Sequence, residues 1–354
     1  MPTMRFDHQT LPQRVRFASA AAAENLKDAL TELGARRVMV IASRGQRVTA
    51  EAILAGVPVA HWCEEVVMHV PVEVAQRARD AARDHDVDAL ISIGGGSATG
   101  LAKAVALTTG LPIVAVPTTY AGSEVTPVWG MTEAGRKDTG TDLRVLPKTV
   151  VYDATLTQRL PVDLSVASGL NALAHSVDAM WAPRADPVNA VLAGEAIRAL
   201  RIGLSAVVEE PTGLDGREHT LYGAYLSAVA FASAGSGLHH KICHVLGGMF
   251  DLPHAPTHAV VLPHVLAFNA PNAPAAERRI AAAFDAPSAL DGLTTLREAL
   301  DAPRTLRDIG MPSDGIAAAA EAVVAAAPAG NPTPVTTDSI SELLRAAWAG
   351  KELR

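Results

Sequence analysis

Six of the chain's twelve histidines, His239, His240, His244, His254, His258 and His264, fall within 26 of its 354 residues. Imidazole titrates near neutrality and is the commonest side-chain ligand for metals, so such a cluster points to proton transfer or metal binding. His240 and His244 stand four residues apart, which on a helix puts them on one face with neighbouring Cβ atoms. Asn171 and His175 repeat that spacing in the segment 164–181, whose apolar positions include Leu170, Leu173, Ala174, Val177 and Trp181. His254 follows Pro253. Three imidazoles, from His175, His240 and His254, suit Zn²⁺ or Fe²⁺, and Asn171 is a weak, neutral fourth candidate. No carboxylate or thiolate joins them in this reading. The residues alone therefore fit either a bound metal or a metal-free pocket of hydrogen-bonding groups. His239 is expected to point off the face shared by His240 and His244, and His258 and His264 are read as ordinary histidines without a spacing partner.

A second set of candidates is rich in glycine and hydroxyl groups. Gly94, Gly95, Gly96 and Ser97 follow the apolar run 88–93 and precede the helical run 98–109. Glycines at a strand-to-helix turn let backbone N–H groups approach an anion, where the helix dipole also favours negative charge. Ser97 is the expected N-cap. The run is not GxGxxG. Beyond the next strand, 112–116, lie Thr118, Thr119, Tyr120, Gly122 and Ser123. Two such loops at neighbouring strand ends predict a nucleotide lying across them. The first strand-to-helix turn, Ser43-Arg44-Gly45, carries no acidic residue to grip a ribose 2′-hydroxyl. It therefore does not separate NADH from NADPH.

The elements that must position these residues change character along the chain. Residues 36–43, 57–61, 88–93, 112–116 and 149–153 are short apolar strands, alternating with helices at 20–33, 50–54, 72–85 and 100–109. Continuous apolar strands alternating with amphipathic helices predict a parallel sheet covered on both faces. Beyond residue 161 the pattern becomes helical, at 164–181, 188–209, 217–233, 239–250, 274–283, 288–300, 313–326 and 339–349. The expected organisation is an α/β dinucleotide-binding domain over 1–160 and an all-α domain over 161–354 that carries the histidine cluster. No low-complexity linker separates the halves, so they are expected to pack closely around a cleft.

Composition narrows the partners. Lys and Arg total 30 against 37 Asp and Glu, a formal charge of −7, and 49% of residues are hydrophobic. That suffices for a full core, and an acidic chain suits neither nucleic acid nor an anionic membrane. Two cysteines, Cys63 and Cys243, cannot build a disulfide framework. The N-terminus lacks a signal-peptide pattern and no run of about 18 apolar residues occurs, so a cytoplasmic location is expected.

GGGS followed by Lys103, PTTYAGSE, LPKTVVYD, SGLNALAHS and GLHHKICHVLGG with LPHA occur in an order that resembles the iron-containing (group III) alcohol dehydrogenase superfamily. The resemblance spans residues 6–348 and implies an N-terminal dinucleotide-binding domain, a helical C-terminal domain and an active site in the cleft between them. It places the family's ligand positions on Asn171, His175, His240 and His254, and its non-ligand active-site histidine on His244. The metal-dependent members carry Asp where Asn171 stands here. The family's GGGSxxD aspartate is Gly100, and its PTTxGTGSE loop is one residue shorter, with Tyr120. These departures resemble the maleylacetate reductase branch, which works without a bound metal.

That branch implies hydride addition at C2 of maleylacetate, protonation at C3 and release of 3-oxoadipate, a late step in bacterial aromatic degradation. NADH is the expected reductant, with NADPH as an alternative, and a homodimer is the expected assembly. In this reading His244 is the general acid, His240 is its neighbour, and His175 and His254 complete a cationic, hydrogen-bonding pocket. Tyr120, Asn171, Lys241 and Arg144 are candidates for substrate binding. Ser43, Gly94, Gly95, Gly96, Ser97, Thr118, Thr119 and Ser123 are candidates for the nucleotide, and Lys137 matches a family lysine near the nicotinamide ribose. The rival readings are a metal-dependent alcohol or polyol dehydrogenase, a lyase of the dehydroquinate-synthase type and a non-catalytic nucleotide-binding protein.

Overall fold

The computed structural model describes residues 4–133 and 136–351, without the side chains of residues 136 and 137. The chain forms two compact units, Leu11–Leu160 and Pro161–Arg354, the second joined by the N-terminal stretch that ends at Thr10. His8 ties that stretch to the helical unit through a 2.9 Å contact between Nδ1 and the Asp186 carboxylate. Asp186 in turn caps the helix that starts at Pro187, accepting the N–H groups of Val188 and Asn189 at 2.8 Å.

The α/β unit runs β1 (Arg14–Phe17), α1 (Ala22–Leu33), β2 (Val38–Ile41), α2 (Arg47–Ile53), β3 (Val59–Cys63), α3 (Val72–Asp84), β4 (Ala89–Gly94), α4 (Gly96–Thr109), β5 (Ile113–Pro117), β6 (Val128–Glu133), β7 (Arg136–Thr141) and β8 (Thr149–Tyr152). Among the described residues, six strands pair in the order β1-β8-β5-β4-β2-β3, all parallel, and β6 and β7 form a separate antiparallel pair. Side chains alternate across the sheet, as strand geometry requires. Val38, Val40, Ile91 and Ile93 pack with Leu26, Leu30 and Ile53 of α1 and α2. Met39, Ile41 and Leu90 pack on the other face with Val74, Ala78, Leu101 and Val105 of α3 and α4. The predicted sheet covered on both faces is thus present. β1 and the β6–β7 pair were not expected, because short, partly exposed strands carry no continuous apolar run.

The chain leaves β2 toward β3 on one side and leaves β4 toward β5 on the other, so the winding direction reverses between β2 and β4. Ligands of open parallel sheets bind outside the strand carboxyl ends at such a switch point. Ser43 follows β2, the glycine run closes β4, and the hydroxyl-rich loop follows β5.

The helical unit comprises α5 (Val162–Ala179), α6 (Pro187–Glu209), α7 (Leu214–Ala234), α8 (Leu238–Phe250), α9 (His254–Asn269), α10 (Pro274–Phe284), α11 (Ala289–Ala299), α12 (Ile316–Ala326) and α13 (Thr337–Ala349). No described helix is long and apolar enough to cross a membrane. α9 was not among the predicted helices, and it carries Pro256 and Pro263, a residue type that disfavours helix interiors. Pro263 nevertheless sits inside the helix. A proline has no N–H for the carbonyl four residues back, here Ala259, and that oxygen instead accepts from the guanidinium of Arg297 on α11.

Candidate active site

In the α/β unit the loops after β4 and β5 are laced together. Thr118 N–H donates to the Gly94 carbonyl at 3.0 Å, and Gln46 Nε2 lies 3.5 Å from Thr118 Oγ1. Gly95, not Ser97, is the N-cap of α4, and no side chain caps that end. Ser97 lies inside the first turn, where the Gly96 and Ser97 N–H groups precede the first helical bonds, while Ala98 N–H already donates to the Gly95 carbonyl at 3.1 Å. Bare backbone donors at a helix N-terminus suit a pyrophosphate. Gly100 packs against Val70, whose Cγ2 would lie 3.0 Å from an added Cβ. An aspartate there would have to displace it.

Lys103 fastens this layout. Its buried ammonium donates to the carbonyls of Ser123, Thr126 and Val128 at 2.6, 2.7 and 2.8 Å, tying α4 to the chain beyond β5. Burial pulls its pKa down to about 7, against an opposing pull from Glu124. Glu124 is itself buried and accepts from the Tyr152 hydroxyl at 2.7 Å.

Two expected substrate contacts are already engaged inside this unit. Tyr120 is fully buried, with its hydroxyl 3.3 Å from Thr157 Oγ1. Arg144 is exposed and forks onto its neighbour Asp142, with Nε and Nη2 at 2.6–3.1 Å from the carboxylate. Here their polar groups are satisfied locally. The side chain of Lys137 lies outside the described residues.

The helical unit gathers the histidines. Asn171, His175 and Asp178 share one face of α5, His240 and His244 lie on α8, and His254 begins α9. The His175 and His240 rings stack at 4.9 Å, with Phe231 of α7 at 4.7 and 4.4 Å from them. The His244 ring lies 6.2 Å from His240 and 6.4 Å from His254. Asn171, His175 and His240 are buried, whereas His244 and His254 are exposed. The layer therefore presents two accessible imidazoles above two buried ones. Lys241 is half-buried beside it, and its charge acts on His240.

Asp178 organises the layer and was not among the sequence candidates. Its Oδ2 accepts the backbone N–H groups of Gly237 at 2.9 Å and His240 at 3.3 Å, and lies 2.7 Å from His240 Nδ1. A Cβ at Gly237 would overlap the carboxylate, so only glycine permits this approach. Burial pushes the Asp178 carboxyl above the ordinary range, while nearby His239 and the backbone N–H groups pull it back. Two backbone donors and the N-terminus of α8 favour the carboxylate, which makes His240 Nδ1 the donor and leaves Nε2 its lone pair.

The expected cationic pocket needs correction at two positions. Burial pulls the His175 pKa down to about 4 and that of His240 well below the usual value, so both are neutral at pH 7. Asn171 Oδ1, His175 Nδ1 and His240 Nε2 are buried and have no hydrogen-bond partner among the described residues. Orphaned polar atoms of this kind mark where ligand groups or water must be accommodated.

Sequence reading also missed a second buried group behind this layer. His239 Nε2 and His258 Nδ1 lie 2.9 Å apart, and the Cys243 thiol lies 3.6 Å from His239 Nε2. His254 and His258 are four residues apart on α9, a spacing that could have revealed them had that helix been recognised.

An open parallel sheet with glycine-rich loops at its switch point and a helical unit with a buried imidazole layer suit a dinucleotide-dependent oxidoreductase. The chain belongs to the iron-containing alcohol dehydrogenase family: residues 12–154 match the family's "Iron-containing alcohol dehydrogenase" model, and residues 165–348 match its "Fe-containing alcohol dehydrogenase family, C-terminal" model. It is 48% identical to maleylacetate reductase 2 of Cupriavidus pinatubonensis over 96% of each chain. It is 44% identical to the maleylacetate reductase of Sphingobium indicum over 98% of each. The crystal structure of an iron-containing alcohol dehydrogenase from Corynebacterium glutamicum, 57% identical, superposes with a TM-score of 0.98 and covers 99% of both chains.

The family's iron fits poorly at the corresponding residues. Asn171 supplies a neutral amide where a carboxylate would offset the cation's charge. His175 and His240 lie as stacked, nearly parallel rings, 18° apart, rather than converging on one point. Among the described residues, the one His, Cys or acidic trio whose donor atoms all come within 4.8 Å is His239, Cys243 and His258.

Proposed function

We propose that the chain reduces the C2–C3 double bond of maleylacetate with NADH or NADPH, giving 3-oxoadipate, and that it needs no catalytic metal. The observation that carries this reading is the neutral Asn171–His175–His240 layer beneath the exposed His244 and His254. Hydride addition to a conjugated ketone develops charge on an enolate oxygen, which is less basic than the alkoxide of a simple carbonyl reduction. Hydrogen-bond donors suffice for an enolate where an alkoxide favours a Lewis acid. Replacing carboxylate by amide at Asn171 also removes a negative charge from a pocket that must admit a dicarboxylate.

Nicotinamide supplies the hydride when bound. Ser43, Gly94–Ser97, Thr118, Thr119 and Ser123 hold the nucleotide, and Lys137 attends the nicotinamide ribose. His244, exposed and four residues from His240, protonates C3. His240, oriented by Asp178, accepts a hydrogen bond through Nε2, and His254 and Lys241 face the substrate carboxylates. The enzyme works as a cytoplasmic homodimer. The full-length relatives named maleylacetate reductase support the same substrate class.

The test is NADH oxidation with maleylacetate, with 3-oxoadipate identified as the product. Maleylacetate is expected to be turned over and 1,3-propanediol with NAD⁺ is not, and His244→Ala is expected to lower kcat by about 10²-fold or more. Turnover of the diol without turnover of maleylacetate would overturn the reading. An unchanged kcat in His244→Ala would remove it as the acid.

A further inference from the structure

The layer proposed to meet substrate leaves the cluster behind it without a task. His239 and Cys243 stand four apart on α8, on a stripe beside that of His240 and His244, and His258 faces them from α9. All three are buried, among or beside apolar residues of the α8–α9 seam such as Leu238, Ile242, Val260 and Val261. Polar side chains in such a seam must satisfy one another or bind something. The contact between His239 Nε2 and His258 Nδ1, at 2.9 Å, uses one nitrogen of each ring. The other two, His239 Nδ1 and His258 Nε2, have no partner among the described residues.

We propose that His239, Cys243 and His258 form a three-coordinate site for a soft monovalent cation, Cu(I). The donor set is two imidazoles and one sulfur, with Cys243 Sγ 3.6 Å from His239 Nε2 and all three donor atoms within 4.8 Å of one another. Metal–donor bonds of about 2.0 Å to nitrogen and 2.3 Å to sulfur require the two imidazole nitrogens, now in contact at 2.9 Å, to part by roughly half an ångström and the sulfur to close on them. Thiolate and imidazole are the ligands that soft cations select.

Coordination number decides between Cu(I) and a divalent ion. Three donors that include a thiolate suit Cu(I), whereas Zn²⁺ would lack its usual fourth ligand here. Binding exchanges the Cys243 thiol proton for one Cu(I), with no change of oxidation state.

The site shares no residue with Asn171, His175, His240 and His254, the positions that match the family's iron ligands. It lies directly behind them, with the His258 ring 4.3 Å from that of His254.

The test is an anaerobic titration of the purified full-length enzyme with Cu(I) against a chromophoric Cu(I) chelator, paired with X-ray absorption at the copper edge. The expected result is one Cu(I) per chain with one sulfur and two nitrogen neighbours. Cys243→Ser is expected to weaken binding by more than about 100-fold, beyond the loss that follows change of an outer-shell group. His175→Ala is expected to leave the affinity unchanged. Copper without a sulfur neighbour in the wild-type spectrum would overturn the proposal, whether or not Cys243→Ser folds. So would binding that disappears in His175→Ala, or no binding in competition with the chelator.

Discussion

A buried carboxylate that accepts two backbone N–H groups is held in its charged form by donors that cannot move away, and Asp178 is such a group. Its consequence is tautomeric: His240 donates from Nδ1 and keeps the lone pair on Nε2, which has no partner among the described residues. Asp178→Asn replaces that charge with a neutral amide, and the His240 tautomer is no longer fixed. The expected outcome is a fall in kcat of about 10²-fold or more with little change in KM for NADH. The pH profile of kcat should also move, which a merely structural loss would not produce. An unchanged kcat and profile would show that Asp178 does not orient His240. The i, i+4 spacing of His240 and His244, and of Asn171 and His175, was legible in the sequence. Asp178 was not, because an acid near the end of the predicted helix 164–181 gives no sign in the sequence that α8 begins against it. The neutrality of His175 and His240 was also hidden, since it follows from burial and not from residue type.

The helix that brings His254 and His258 into place is also the element that the sequence concealed. α9 is buried along 257–266 and carries Pro263, so it shows neither a polar face nor an uninterrupted run. The carbonyl that Pro263 strands on Ala259 is met by Arg297, whose Nη2 also donates to the Pro303 carbonyl at 2.8 Å. Burial draws the Arg297 pKa down to about 10. Arg297→Met therefore leaves a buried acceptor without a donor and should cost about 2 kcal/mol of unfolding free energy in urea melts. Adding Pro263→Ala restores an N–H to Ala259 and should recover part of that loss, a coupling that a double-mutant cycle measures. A purely additive pair of losses would mean that Arg297 does not stand in for the missing helix bond. By contrast, the loops near Ser43, Gly94 and Thr118 were legible, because each carries its own glycine or hydroxyl signal. The hydrogen bonds of Tyr120 to Thr157 and of Arg144 to Asp142 are ones that no spacing announces.

At the scale of the whole molecule, five buried histidines tie stability to pH. The pKa values of His175 and His264 fall to about 4, and those of His239, His240 and His258 fall well below the ordinary 6.5, with burial the leading cause in each. The unfolded chain binds more protons than the folded one between those values, so stability is retained above pH 6.5 and lost as pH falls toward 4. A shift from 6.5 to about 4 corresponds to roughly 3 kcal/mol for each of His175 and His264 once both states are protonated. Buried Asp178 and Glu124 act in the opposite sense, because burial raises their pKa values and the folded state takes up protons first. The histidines outnumber them, and Tm should drop across pH 6.5 to 4; a flat Tm over that range would contradict neutral burial of the cluster. The same cluster that suggests a metal cage by count behaves by burial and geometry as a neutral hydrogen-bonding layer under two exposed imidazoles. The most direct measurement is maleylacetate-dependent NADH oxidation by enzyme freed of metal with a strong chelator. Full retention of activity is the expected result, and loss of activity restored by Fe²⁺ or Zn²⁺ would contradict a metal-free mechanism.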